Sequence, residues 1–296
     1  MNRRFLTATL LFVSITLIFA FYIYNQSRQH IESAKGLNII VTFYSLKPDI
    51  EMLTCKGDYV YSVTPSGVDP HEYQLSPSDI SKLKEADIII STAHTPFETQ
   101  IRDLVSKGEI KALLLEIPNI PGIKIKQNPA TGQPNYHWPI YDPENYKTYI
   151  DYVEQKLEKL RPDCAAEYKN HAKAILDNVT QIQTQTVRLT LCAVATSPPA
   201  QYAVEWTGLQ VKYLLIKEEG VPATPQDLTV IENSLKSGEC RLILIVGATS
   251  TPIAQKALEL SSKYNVPYLQ IPDPISPDST LSKISAVSNL LKNFKK

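Results

Sequence analysis

No charge of either sign dominates this chain: 30 lysines and arginines balance 30 aspartates and glutamates in 296 residues. Arginine-rich stretches are absent too, so nothing draws it toward nucleic acid. There is no low-complexity tract and no sustained heptad repeat. Cysteines are few: Cys55, Cys164, Cys192 and Cys240, with no Cys-x-x-Cys pair. That spacing argues against a zinc ribbon or a thioredoxin-like centre. In an oxidising compartment four cysteines permit three disulfide connectivities, and spacing does not choose among them. Neither a P-loop nor a Gly-x-Ser-x-Gly elbow occurs, so the chain carries no ATPase motif and no esterase nucleophile. Histidine, five in all, is absent from residue 188 onward.

What is present begins at the N-terminus. Arg3 and Arg4 precede Phe5–Tyr24, twenty residues without a charge. As a helix this run is about 30 Å long, enough for a bilayer core. No small-x-small cleavage site precedes Asn25, and no cysteine near its end offers a lipid attachment point. We therefore read residues 1–30 as an uncleaved membrane anchor with the arginines inside and the folded part outside. A cleaved signal peptide is the rival reading.

The remaining length suits two lobes of α/β type. Strands are expected at Asn38–Phe43, Tyr59–Val63, Asp87–Ser91 and Ala112–Glu116. In the second half they are expected at Arg188–Ala195, Val211–Ile216, Arg241–Val246 and Val266–Gln270. Helices between them imply mainly parallel sheets flanked on both faces. In the middle, Pro143 to Thr186 lacks glycine and has one interior proline, Pro162. A helix at Glu144–Leu160 and a longer one from Asp163 through Thr186 are expected, the latter with apolar residues at three- or four-residue steps. The domain reading is an N-terminal lobe at 36–160, a linking helix at 163–186 and a C-terminal lobe at 187–296.

The most specific motif is Gly67-Val68-Asp69-Pro70-His71-Glu72-Tyr73-Gln74-Leu75-Ser76-Pro77-Ser78-Asp79. A proline-restricted loop here projects one imidazole beyond a strand end, where open α/β sheets bind ligands. Neutral imidazole is a common metal ligand, and Asp69 is placed to orient its second nitrogen. This framing resembles the zinc/manganese solute-binding family of metal ABC importers, whose loop reads Gly-x-Asp-Pro-His-x-Tyr-x-x-Ser-Pro-Ser. The resemblance extends over roughly residues 38–294. It implies two lobes joined by a long backbone helix, limited hinge motion and capture of a metal ion rather than catalysis.

The family's ligand set is two first-lobe histidines, one second-lobe histidine and one second-lobe carboxylate. His137, in Asn135-Tyr136-His137-Trp138-Pro139-Ile140-Tyr141-Asp142-Pro143, resembles the second first-lobe motif with its register shifted by one residue. At the second-lobe histidine position stands Ser197. Asp273, in Ile271-Pro272-Asp273-Pro274, matches the family aspartate; turn capping is its bland alternative. The resemblance thus implies His71, His137 and Asp273 as ligands, with water, Glu205 or Tyr202 as fourth donor. His94, in Thr92-Ala93-His94-Thr95-Pro96, is either a third imidazole or an ordinary loop histidine, the second being favoured.

Zn2+ is expected as cargo, with Mn2+ as the alternative. The expected partners are a membrane permease and a separate ATPase subunit, with the receptor a monomer at the cell surface. The rival is a receptor or adhesin of the same fold with a degenerate site, and Ser197 is its support. A metal-dependent hydrolase is disfavoured because no positioned general base is evident.

Overall fold

The computed structural model describes residues 35–68 and 70–294. The apolar run Phe5–Tyr24 and Asp69 lie outside the described residues, so the anchor and the orienting role of Asp69 stay as expectations. Among the described residues no helix is long and apolar enough to cross a membrane.

The first half begins with β1 (Asn38–Val41), α1 (Lys47–Glu51), β2 (Tyr59–Ser62) and α2 (Pro77–Lys84). It continues with β3 (Ile88–Ser91), α3 (Pro96–Ser106) and β4 (Leu113–Glu116). Its strands form a parallel sheet in the order β2-β1-β3-β4. The central strand β3 is buried at all four positions, as a parallel strand covered on both faces must be.

Two long helices follow, α4 (Pro143–Leu160) and α5 (Ala165–Gln185), close to the expected limits. Tyr168, Ala172, Ile175 and Val179 form the buried stripe of α5, and the main hydrophobic core includes them. Asp58 ties this helix to the first sheet. Its carboxylate is fully buried and accepts from Arg161 Nη1 at 2.8 Å, Tyr168 Oη at 2.7 Å and the backbone N–H groups of Leu37 and Cys55 at 2.9 Å.

The second half contains β5 (Cys192–Ala195), α6 (Ala200–Val204), β6 (Gln210–Leu214), β7 (Ile216–Glu218) and β8 (Val221–Pro222). Then come α7 (Pro225–Ser237), β9 (Cys240–Val246), α8 (Pro252–Tyr264), β10 (Tyr268–Ile271) and α9 (Thr280–Asn293). Its parallel sheet has the order β10-β9-β5-β6. The small antiparallel hairpin β7–β8 was not expected from the apolar run Val211–Ile216. Its residues Lys217-Glu218-Glu219-Gly220 carry too little β propensity to show as a strand pair.

Two disulfides resolve the open connectivity: Cys55–Cys164 joins the first lobe to the start of α5, and Cys192–Cys240 joins β5 to β9. The last helix does not belong to the second half alone. It packs against α5, and the Thr280 N–H donates to the buried Asp49 carboxylate of α1 at 2.9 Å.

Candidate metal centre

The strand orders place a crevice beside β1 and β3 in one sheet and beside β5 and β9 in the other. In each sheet the connections diverge there, which is where open α/β sheets take ligands. The loops leaving the carboxyl ends line one cleft of about 190 Å³: Phe43 after β1, His71 after β2, Thr92 and His94 after β3, Ser197 after β5 and Asp273 after β10. His137 and Trp138 enter from the segment before α4.

The His71 loop is locked just downstream. Ser76 caps α2, and Asp79 Oδ2 accepts from the Ser76 N–H, the Ser76 hydroxyl and the Tyr73 hydroxyl at 2.7–2.9 Å. Thus Tyr73, Ser76 and Asp79 of the motif hold the loop, leaving His71 to face the cleft.

His94 has a larger support. Glu98, on the first turn of α3, is buried and its carboxylate accepts seven hydrogen bonds. The donors are the hydroxyls of Thr42, Ser91, Thr92 and Thr95 and the backbone N–H groups of Thr92, His94 and Thr95, all at 2.6–3.0 Å. Burial alone would raise its pKa, but these donors hold it below the ordinary carboxylate value. Ala93 has φ of 56° and Trp138 φ of 58°. Left-handed backbone at non-glycine residues costs about 1–3 kcal/mol and persists where surroundings enforce it. Each of these residues adjoins a cleft histidine.

The three imidazoles touch. The ring centroids of His71 and His94 are 5.5 Å apart, and those of His94 and His137 are 4.5 Å apart, both edge to face. His94, which the sequence reading favoured as an ordinary loop histidine, therefore sits between the two expected ligands. The signal was available: His94 follows β3 as His71 follows β2. Their donor atoms with Asp273 do not yet form a group of three within 4.8 Å; among the described residues the one such group is Cys55, Cys164 and Glu167, which the disulfide occupies. A shared ion would require the cleft side chains to draw together.

Asp273 makes the expected turn and also lines the cleft. Oδ1 accepts from the Ile275 N–H at 3.0 Å, an Asx turn. A Cβ on Gly247, whose φ is 77°, would lie 3.0 Å from Asp273 Oδ2, so a side chain there would be strained and would press on that carboxylate. From behind, Tyr141 Oη donates to the Pro272 carbonyl at 3.0 Å. The buried Lys283 Nζ donates to the carbonyls of Pro274 and Ser276 at 2.7 and 2.8 Å. Burial lowers the Lys283 pKa to about 8.

Two suggested donors are corrected. Tyr202 is fully buried; its hydroxyl donates to the Asn135 carbonyl at 2.6 Å and accepts from the Lys126 N–H at 2.8 Å. Glu205 pairs with Lys126 Nζ at 2.9 Å and is not among the cleft residues. Both brace the segment leading to His137. Sequence reasoning missed Glu218 and Glu219 of the β7–β8 hairpin: Glu219 lines the cleft, and Glu218 Oε2 lies 3.4 Å from His137 Nε2.

Burial, then the neighbouring His94 and His71, push the His137 pKa down to about 3; burial also lowers that of His94, with His71 adding to it. The unfolded chain, titrating near 6.5, then binds more protons than the folded one below that pH. Stability from His137 is complete above about 6.5 and falls as pH drops toward 3, by about 2 kcal/mol at pH 5. Asp49 runs the other way. Desolvation raises its pKa to about 6, so its contribution improves on acidification between about 6 and 4. With a chelator present, His137→Gln should therefore lose about 2 kcal/mol less than the wild type between pH 7 and 5 in denaturant unfolding. Equal losses would contradict the assignment.

Comparison with known proteins bears on the family and the fold. The family model described as zinc-uptake complex component A, periplasmic (ZnuA) matches residues 39–283. The manganese-binding lipoprotein MntA of Halalkalibacterium halodurans is 24% identical over 152 residues, 51% of this chain and 49% of that protein. The iron-binding protein YfeA of Yersinia pestis is 26% identical over 155 residues, 50% of this chain and 47% of that one. The chain thus spans about half the length of these relatives. The structure of FpvC from Pseudomonas aeruginosa in complex with Mn2+ shares the fold, with a TM-score of 0.71 at 16% identity over 87% of this chain and 99% of that one. Because the family model takes in most of its length, the chain belongs to the ZnuA family.

Proposed function

We propose that this protein is an extracytoplasmic receptor that captures a divalent transition metal in the cleft between its two sheets. It then delivers the ion to a membrane permease powered by a separate ATPase subunit. The observation that carries the reading is the contact of His71, His94 and His137, delivered by three different loops into the cleft that Asp273 also lines. Three imidazoles and a carboxylate form a donor set for borderline divalent ions, and they favour Zn2+ over Mn2+. The relatives' names include manganese and iron as well as zinc, so the donor set rather than the family supports this order.

The charge-free run Phe5–Tyr24 supports attachment to the membrane with the lobes outside. Capture would favour the arrangement in which ligands from both lobes close on the ion, since a ligand shifts an equilibrium only by its differential affinity.

The test is metal analysis and calorimetric titration of the purified chain at pH 7 with Zn2+ and Mn2+. One ion per chain with sub-micromolar affinity is expected. If neither Zn2+, Mn2+ nor Fe2+ binds, metal capture is wrong. The hydroxyl of Ser197 would then mark a site that serves another ligand or an adhesive role.

A further inference from the structure

Within the metal-receptor reading, on which this rests, we propose that Glu218 supplies the second lobe's donor in place of the weak hydroxyl of Ser197. The ion would lie between Glu218 Oε2 and His137 Nε2.

The argument starts from Asn135. Its Nδ2 donates to the Pro198 carbonyl at 3.1 Å and to Gln201 Oε1 at 2.9 Å. Gln201 is itself oriented by donating from Nε2 to the Gln127 carbonyl at 3.0 Å. Asn135 Oδ1 therefore points at His137, accepting from its backbone N–H and from ring Nδ1, each at 3.0 Å. That network puts the proton of the neutral ring on Nδ1 and leaves a lone pair on Nε2. Nε2 is buried, on a side chain only 10% exposed, and has no hydrogen-bond partner among the described residues.

Glu218 Oε2, another acceptor, lies 3.4 Å from this nitrogen. The glutamate is held there. Its Oε1 accepts from Asn128 Nδ2 at 2.8 Å, and the same amide donates to the Lys217 carbonyl at 2.6 Å. Two acceptors this close repel unless a cation or a proton is shared between them. Donors each about 2.1 Å from one ion and separated by about 90–120°, the angles of four to six donors, lie about 3.0–3.6 Å apart. The spacing thus suits a shared metal and is long for a hydrogen bond.

The substitution has a chemical consequence. An oxygen donor at this point is harder than imidazole and raises the standing of Mn2+ against Zn2+. The hairpin also gives the second lobe a negative ligand opposite His137, so closure of the cleft and ligation become one event.

Glu218→Gln, which keeps the shape and the Oε1 acceptor, separates the possibilities, with Glu259→Gln, exposed on α8 and outside the cleft, as the control. Calorimetric titration with Mn2+ and Zn2+ should show Glu218→Gln weaker for Mn2+ by about ten- to a hundred-fold, with a smaller loss for Zn2+. Glu259→Gln should stay within about threefold of the wild type. The visible spectrum of bound Co2+ should change in Glu218→Gln, which a purely structural hairpin residue would not cause. Affinities equal to or tighter than wild type, with an unchanged Co2+ spectrum, would overturn the inference alone and make Glu218 a competing partner of protonated His137. A wild type that takes up no ion would overturn the receptor reading and this inference together.

Discussion

Replacing Glu98 by glutamine should cost about 3–5 kcal/mol of folding stability and loosen the His94 loop. The carboxylate has seven donors around it and nearly no solvent. Glutamine of the same length offers one acceptor oxygen, and its amide would point hydrogens at hydrogens. Each buried donor left without a partner costs about 1–3 kcal/mol, and local relaxation recovers only part of that. The loss should appear in denaturant unfolding at pH 7, with metal affinity falling in the folded fraction because His94 is no longer held. A change below 1 kcal/mol with unaltered binding would mean that the acceptor cluster is not what positions this loop.

Replacing His137 by alanine should weaken Zn2+ binding by at least a hundredfold while the fold survives. The side chain donates one hydrogen bond to Asn135 and otherwise presents its buried Nε2 to the cleft. Its removal therefore deletes a ligand without breaking a structural network, and it relieves the chain of an imidazole that burial holds neutral. The metal-free variant should be no less stable than wild type at pH 5. Two residues along, Asn135→Ala should give a milder loss of about ten- to a hundredfold, the range typical of partners that orient a ligand. Equal effects from the two would imply that Asn135 matters chiefly for joining the lobes through Pro198 and Gln201.

Much of this architecture was legible in the residues. Strands followed apolar runs bounded by helix starts such as Ser76-Pro77 and Thr224-Pro225, and the long helices followed a stretch without glycine. The loop with His71 and the turn with Asp273 were readable because prolines frame both. His137 reaches the cleft although its motif is shifted by one residue, and Trp138 beside it has left-handed backbone. What stayed hidden depends on contacts across the fold. Glu205 and Tyr202 lie near the right segment, but Lys126 and Asn135 engage them. His94 is the exception, since its place after β3 matches that of His71 after β2, and the pairing of β1 with both strands brings the two together. Glu218 lies in a charged turn that resembles any exposed loop until the hairpin folds it against His137. The disulfides were equally beyond reach, since spacing does not choose among three pairings.

The most direct measurement is a crystal structure of the metal-loaded protein with anomalous diffraction data collected at the edge of the bound ion. The account predicts one anomalous peak in the cleft, about 2.0–2.2 Å from nitrogens of His71, His94 and His137 and from an Asp273 oxygen. A loaded protein whose ion lies elsewhere, or whose ion touches none of these histidines, would contradict it.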